Sequence, residues 1–430
     1  MTSINKLILN QYRWYRLDNA AKLYSAIHGK TRPGVFRLSA ELSKSIQPST
    51  LQKALNLTLT RFPGFAVKLR AGLFWHYFKH SSDVIQIQED VSNPCTDIFS
   101  KKNKGFLLRV RYHKNRIAVE FFHSVTDGAG ALIFLNTLVA QYLSLLGYLI
   151  PAAQGILVSD QDPILGEFQD SFQAFAGQAP SRKRQNLPAY HIKGTTLPLH
   201  SLRTITGSIP VESLKKESKK MGVSITEYLV SVYLFVLYKI QLSENPRRFL
   251  PIKIQVPVDL RRFHPTNTLR NFSAYVIPSL DPNHGDFSFQ EIVKSVHHFM
   301  RFEVTEKLLR SQVATNLKSE KNLIIRIMPL FIKNYLINLV YKFVGPSSFT
   351  TTISNLGLIE IPEEMRQHVK GYELTLGATR DTNLSCGMLG YKNTIHICFS
   401  RVIKETNVEK EFLSFLVSSG IPVAVGSNRE

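Results

Sequence analysis

Apolar and polar positions alternate along some stretches of this chain and recur at helical spacing along others, in mixed order. "GVFRLSAEL" (34–42) predicts a strand. "PSTLQKALNLTLTRFP" predicts a helix, with Pro48 near its start and Pro63 as its stop. "FAVKLRAGLFWHYF" predicts a hairpin turning around Ala71 and Gly72, and "GFLLRVRYHKNRIAVEFFH" a second one turning at Lys114-Asn115. A helix from about Gly130 to Leu145 follows. Further on, "RTITGSIP" reads as a strand and "VESLKKESKKMG" as a helix stopped by Gly222. "SITEYLVSVYLFVLYKIQL" reads as a helix capped by Ser224, with Glu227 three residues later. "FLPIKIQVPVDL" looks like a buried strand, and residues 286–345 are mostly helical in pattern. "SFTTTISNLG" is a strand ending at Asn355 and Gly357, before a closing hairpin and helix.

Interleaved strands and helices of this kind predict an α/β protein with mixed (α+β) sheets. A chain of 430 residues exceeds one ordinary core, so two halves are expected. Residues 151–200 lose their periodicity and fill with Pro, Gln, Gly and Ser. The expected division is a first half over 1–165, a crossover over 166–200 and a second half over 201–430. One echo links the halves. "HKNRIAVEFFHSVTDGAGALIFL" and "YKNTIHICFSRVIKETNVEKEFLSFL" both run turn, strand, loop, helix. Aligned on Lys114-Asn115 and Lys392-Asn393, His123 falls on Arg401 and Asp127 on Glu405. A duplication that kept the His and Asp only in the first half would give this pattern.

Two apolar stretches bear on membranes. "ALIFLNTLVAQYLSLLGYLI" is interrupted by Asn136, Gln141 and Ser144 and reads as a largely buried helix rather than a span. "NLIIRIMPLFIKNYLINLVYKF" (322–343) mixes basic and aromatic residues with aliphatic ones. A buried helical pair is the expectation there, with contact to an anionic membrane or a lipid-like ligand as the alternative. The apolar run near the N-terminus is too short for a secretory signal.

Net charge is 53 − 32 = +21. Such a surplus suits nucleic acid, anionic lipid, polyphosphate ligands or acidic proteins, or marks a charge-rich surface with no dedicated partner. Small basic clusters lie at "SRKRQ" (181–185), "SLKKESKKMG" and "NPRRF", without a zinc-finger or RNA-binding signature, so nucleic acid is not expected. Cys95, Cys386 and Cys398 are scattered and form no CxxC pair, so neither a disulfide framework nor a zinc site is expected. Free thiols of this kind fit a cytoplasmic protein.

The chemistry concentrates in "IAVEFFHSVTDGAGALIFL" (117–135). A strand end gives His123 a rigid base, and the turn after it gives the ring exposure. A neutral imidazole is the natural proton acceptor near neutral pH. Asp127 can cap the next helix or pair with an Arg, and the glycines let a ligand approach the backbone. A buried, satisfied His beside an ordinary Asp cap would leave the same trace. No GxxxxGK[ST] loop, GxSxG elbow or HExxH motif accompanies it.

"HSVTDG" resembles the HxxxDG motif of acyltransferases with the chloramphenicol-acetyltransferase-like fold, the superfamily of nonribosomal peptide condensation domains. "LQKALNLTLTRFPGFAVKLR" is similar to the first helix and strand of those proteins. "VPVDLRRFHPTNTLRNFSAYV" and "ISNLG" resemble segments of the bacterial alcohol acetyltransferase-like group. The resemblance implies two α/β halves meeting at an active-site tunnel, and a monomer suffices. It implies that His123 is the general base for acyl transfer from an acyl thioester, acyl-coenzyme A or an acidic acyl carrier protein, to a hydroxyl or amine. The acceptor would be a small molecule or lipid-like, and no metal or redox cofactor is implied. Asp127 would be structural, with Arg61 as its partner, and Gly128 would keep the loop open. Asn355 and Gly357 would line the tunnel or contact the oxyanion, while Asp259, Arg261 and Asn271 would build the loop linking the halves. Condensation domains carry two adjacent His residues, and Phe122 stands at the first position here, which makes peptide-bond formation less expected than ester or amide formation. The DFGWG segment of the plant alcohol acyltransferases, which belong to the same superfamily, is absent too. A non-catalytic relative that binds a carrier protein or acyl ligand is the alternative.

Overall fold

A computed structural model describes residues 14–182, 188–344 and 348–428. The first thirteen residues and Lys183, Arg184 and Gln185 of the basic cluster lie outside the described residues. The strands fall where alternation placed them. Val35–Leu42, Leu108–His113 and Arg116–Phe122 are strands, and so are Val67–Ala71 and His76–His80 of the first hairpin. The two tight hairpins turn on Lys114 (φ 49°) and Lys392 (φ 51°), each supplying the left-handed residue a two-residue turn demands.

The helices obey their end signals. Pro48 opens Pro48–Arg61. Asp127 caps Gly128–Leu145 by accepting from the Gly130 N–H. Ser224 and Glu227 form the full capping box of Ile225–Ser243, and Ser288 with Glu291 does the same for Phe289–Glu303.

Two larger sheets organise the chain. The first runs Val369–Leu376, Val35–Leu42, Arg116–Phe122, Leu108–His113 and Gln88–Glu89. The second has eight strands. Its main path runs Ser273–Val276, Ile252–Asp259, Thr351–Ile359, Leu384–Tyr391, Thr394–Arg401, Arg203–Pro210 and Ala424–Ser427. Thr351–Ile359 is parallel to both of its neighbours and the other pairings in this sheet are antiparallel, so the sheet is mixed. Each half has its own apolar core. One gathers around Gly128–Leu145 and the other around Ile225–Ser243.

Four features differ from the sequence reading. Val369–Leu376 leaves the second half and pairs with Val35–Leu42, so the first sheet borrows a strand from the 201–430 segment. Tyr372 and Leu374 consequently pack in the first core. The 166–200 crossover contains a short helix, Ser171–Ala176, in which Phe172 and Phe175 are buried. Ile252–Asp259 is not buried on both faces; it alternates, with Ile252, Ile254, Val256 and Val258 inward. Residues 322–343 are helical, as Leu323–Ile327 and part of Leu330–Val344, but they are not a buried pair. Leu323, Ile324, Ile327, Phe331, Tyr335 and Val340 are each at least 60% exposed. Apolar composition says that a helix wants cover; it does not say that the same chain supplies it.

Part of the basic surplus lies inside the first half. Glu120 is fully buried and accepts from Arg109 Nε at 2.6 Å and Arg111 Nε at 3.3 Å, with Arg37 Nη1 at 3.5 Å. Burial alone would raise its pKa, but the three guanidinium groups outweigh that and hold it below the usual carboxylate value. Removing the charge strands buried cations. Glu120→Gln is therefore expected to cost about 3–5 kcal/mol in urea denaturation. A loss under about 1 kcal/mol would show that the cluster is not electrostatically coupled.

Candidate active site

His123 follows the end of Arg116–Phe122, and its backbone N–H donates to Gly34 O at 2.8 Å, which extends the sheet register to the His itself. The ring is half-buried between two aromatic side chains. Tyr24, from the Asn19–Ile27 helix, stacks on it with centroids 4.4 Å apart, and Phe36 tilts against it at 4.8 Å. Asn271 holds the remaining side. Its Nδ2 donates to Ser124 O at 3.2 Å, which turns its Oδ1 toward His123 Nδ1 at 3.1 Å. An amide oxygen can only accept, so Nδ1 carries the proton and Nε2 keeps its lone pair. Among the described residues nothing bonds Nε2. Burial lowers the ring's pKa below its ordinary value, so the imidazole is neutral at pH 7. A ring fixed in this tautomer can accept a proton at Nε2.

Asp127 points away from that nitrogen. Its Oδ1 accepts from the Gly130 N–H (3.1 Å) and Arg261 Nη2 (3.3 Å), and its Oδ2 from the Phe272 N–H (2.8 Å) and Arg261 Nη1 (2.9 Å). Burial would raise this carboxyl's pKa, but Arg261 and the two N–H donors outweigh it and keep it below the usual value. Arg261 also bonds Asp259 Oδ1 and the carbonyls of Thr268 and Arg270. Asp259, Arg261 and Asn271 thus belong to one loop that clasps the "HSVTDG" turn. Thr126 Oγ1 donates to Leu269 O at 2.6 Å in the same clasp.

One expectation needs correcting. Arg61 does not pair with Asp127. It forms a buried two-point pair with Glu167, Nη1 to Oε2 at 2.7 Å and Nη2 to Oε1 at 2.6 Å, which pins the crossover to the Pro48–Arg61 helix. Asn355 and Gly357 lie exposed on the Thr351–Ile359 strand and are tied into a local turn. The Gly357 N–H goes to Asn355 Oδ1 at 2.8 Å, and Asn355 Nδ2 goes to Thr226 Oγ1 at 2.9 Å. The residue between them, Leu356, is what reaches the site, against Gly128. Phe122 is fully buried against Phe99 and His28, on the side of the strand away from any ligand at His123.

The sequence reading missed Tyr24 and Phe36, and it assigned Asn271 to the loop without its bond to the ring. Tyr24 lies ninety-nine positions before His123 and carries no local motif, so nothing short-range could single it out.

No family model and no curated protein matches the sequence. Solved structures do match it along nearly its whole length. Polyketide synthase associated protein 5 from Mycobacterium tuberculosis superposes with a TM-score of 0.61 at 14% identity, over 94% of this chain and 97% of that one. The first condensation domain of the calcium-dependent antibiotic synthetase, in complex with a substrate analogue, gives 0.59 at 14%, over 94% and 96%. Trichothecene 15-O-acetyltransferase from Fusarium sporotrichioides gives 0.59 at 11%, over 94% of each. The chain has the two-lobed α/β fold that these condensation-domain and acetyltransferase structures share.

The two glycines of the "DGAG" turn differ in what they permit. A Cβ on Gly128 would lie 2.5 Å from Leu356 Cδ2, a side-chain tip that can swing aside. A Cβ on Gly130 would lie 2.3 Å from the Leu269 carbonyl oxygen and 2.2 Å from Thr126 Oγ1, inside the clasp. Gly128→Ala is expected to shift stability by less than about 1 kcal/mol, and Gly130→Ala to cost about 1–3 kcal/mol. Thermal melts of both variants check this; equal effects would remove the clasp from the argument.

Proposed function

We propose that this chain is an acyltransferase that moves an acyl group from an acyl thioester to a hydroxyl or amine, with His123 as general base. The observation that carries the reading is the Asn271–His123 bond, which leaves Nε2 as a fixed, neutral acceptor at the junction of the two halves. The acceptor's oxygen or nitrogen attacks the thioester carbonyl while Nε2 takes its proton. Collapse of the tetrahedral adduct breaks the carbon–sulfur bond, and the imidazolium returns the proton to the departing thiolate. Ester or amide and free thiol result. Asp127 holds the loop and does not touch the reacting atoms.

The neighbours favour the same reading. One carries acetyltransferase in its name, and another, the starter condensation domain of rhizomide synthetase, was solved with C8-CoA. A groove lined by Lys30, His200 and Arg380, with Asp97, opens beside Pro33, next to the Gly34 carbonyl that receives the His123 N–H. Its cations suit the anionic end of coenzyme A or the surface of an acidic carrier protein.

Thiol release from short to long acyl-coenzyme A donors, with pooled alcohols and amines, tests the reading. Acceptor-dependent release should fall about 10²- to 10⁴-fold in His123→Ala. Equal release from both proteins would remove His123 as the base. The pH profile carries a second expectation. The folded pKa of His123 lies below 6.5, so kcat/KM should hold at neutral pH and fall only as pH drops through that lowered value. Asn271→Asp places a carboxylate against Nδ1, stabilises the imidazolium and should move this acid limb to higher pH. A limb unmoved by that change would show that Asn271 does not act through the ring.

A further inference from the structure

The Leu323–Ile327 and Leu330–Val344 helices are inverted relative to an ordinary surface helix. The polar anchors of the second helix point inward. Lys333 is buried, donates to Phe74 O at 2.8 Å and lies over the Trp75 ring. Asn338 Nδ2 donates to Ala26 O at 2.7 Å. Their apolar side chains point outward, with Phe331, Tyr335 and Leu339 repeating every four residues. The tip of the Val67–His80 hairpin extends the same face. Leu73 is 73% exposed, and its carbonyl takes the Leu330 N–H at 2.8 Å.

An apolar face of this kind demands cover, and charge indicates what covers it. Residues 321–344 contain four basic residues and no acidic one in sequence; Lys333 is turned inward, and Arg326 is exposed on the outer face. A second copy of a +21 chain would bring like charges onto the same seam. An acidic carrier protein would seek clustered exposed cations, whereas aliphatic and aromatic side chains dominate this face. Large apolar side chains around an exposed Arg326, in a segment without acidic residues, are the composition of interfacial anchors. We propose that the Leu323–Ile327 and Leu330–Val344 helices and the Leu73 hairpin tip dock this protein on an anionic lipid bilayer.

The face is also close to the site. Tyr341, on the second of these helices, lies under the Arg32 guanidinium at 4.8 Å, and Asn338 is bonded to Ala26 of the helix whose Tyr24 stacks on His123. A single helix separates the bilayer face from the imidazole. Taken with the acyltransferase reading, on which this step rests, the acceptor is an amphiphile whose hydroxyl or amine enters from the membrane side.

Flotation of the full chain with phosphatidylcholine vesicles, with and without phosphatidylglycerol, tests the docking. The protein should float with the anionic vesicles and bind the neutral ones about tenfold less. Phe331→Glu and Ile327→Glu change exposed side chains and should each reduce binding to the anionic vesicles about tenfold or more. His123→Ala should float like wild type. Absence of flotation, or flotation unchanged in both Glu variants, overturns the proposal. So does a solution dimer that the Glu variants dissociate, or a carrier protein that binds in place of vesicles and is lost in the same variants. Flotation without any thiol release would retain the docking and discard the amphiphilic acceptor, which separates failure of this proposal from failure of the acyltransferase reading.

Discussion

The buried pair between Asp127 and Arg261 is the constraint on which the site depends. Asp127 belongs to the first half of the chain and Arg261 to the second, 134 positions later. Asp127 is 5% exposed and accepts four hydrogen bonds, two from that guanidinium and two from backbone N–H groups. A buried carboxylate is tolerated only when its oxygens are satisfied in this way. The bonds do more than neutralise it. Phe272 N–H is held to Asp127, and Asn271 is the residue before it, so the loop register that satisfies the carboxylate also presents the Asn271 amide to His123. Capping, lobe docking and the tautomer of the imidazole follow from one carboxylate.

The same loop explains why glycine is demanded where it is. Thr126 and Leu269 approach so closely that Gly130 has no room for a Cβ. Gly128 faces a side chain instead, so its smallness makes room for Leu356 rather than permitting the backbone to close. The two positions read alike in the sequence and both face the second half of the chain, but Gly130 meets a backbone carbonyl and Gly128 only the tip of a side chain.

Local pattern carried much of the fold. Caps, stops and alternation mark elements by neighbours within four residues, so Pro48–Arg61, Arg116–Phe122 and Ile225–Ser243 were legible. His123 and Asp127 were legible as a pair for the same reason. What remained hidden depends on long-range choices. Arg61 could have met either of two carboxylates, and Glu167 sits in a crossover whose periodicity gives no hint of order. Val369–Leu376 alternates like any strand, and nothing in it records which sheet it joins. The Leu323–Val344 region shows apolar content clearly, but the inward placement of Lys333 and Asn338 is set by Phe74 and Ala26, some 260 and 310 positions away.

The second half offers an internal comparison. Thr394–Arg401 and Asn407–Ser418 repeat the strand and helix that flank His123, down to the left-handed Lys at the hairpin. Arg401 stands where His123 does, yet it is fully buried and bonded to Glu409 at 2.7 Å. Glu405, in the place of Asp127, reaches the Thr195 N–H of the crossover rather than an Arg. Both halves therefore anchor the turn after this strand, but with different chemistry. A guanidinium cannot give up its proton near neutral pH, and a buried ion pair gains nothing from exposure. The His123 imidazole, its pKa lowered by burial, is neutral near pH 7 and keeps one nitrogen available. If the strand, turn and helix arose twice from one unit, only the copy clasped by Arg261 and Asn271 has the means to fix a tautomer, and that is the physical difference between a turn that seals a core and a turn that can move a proton.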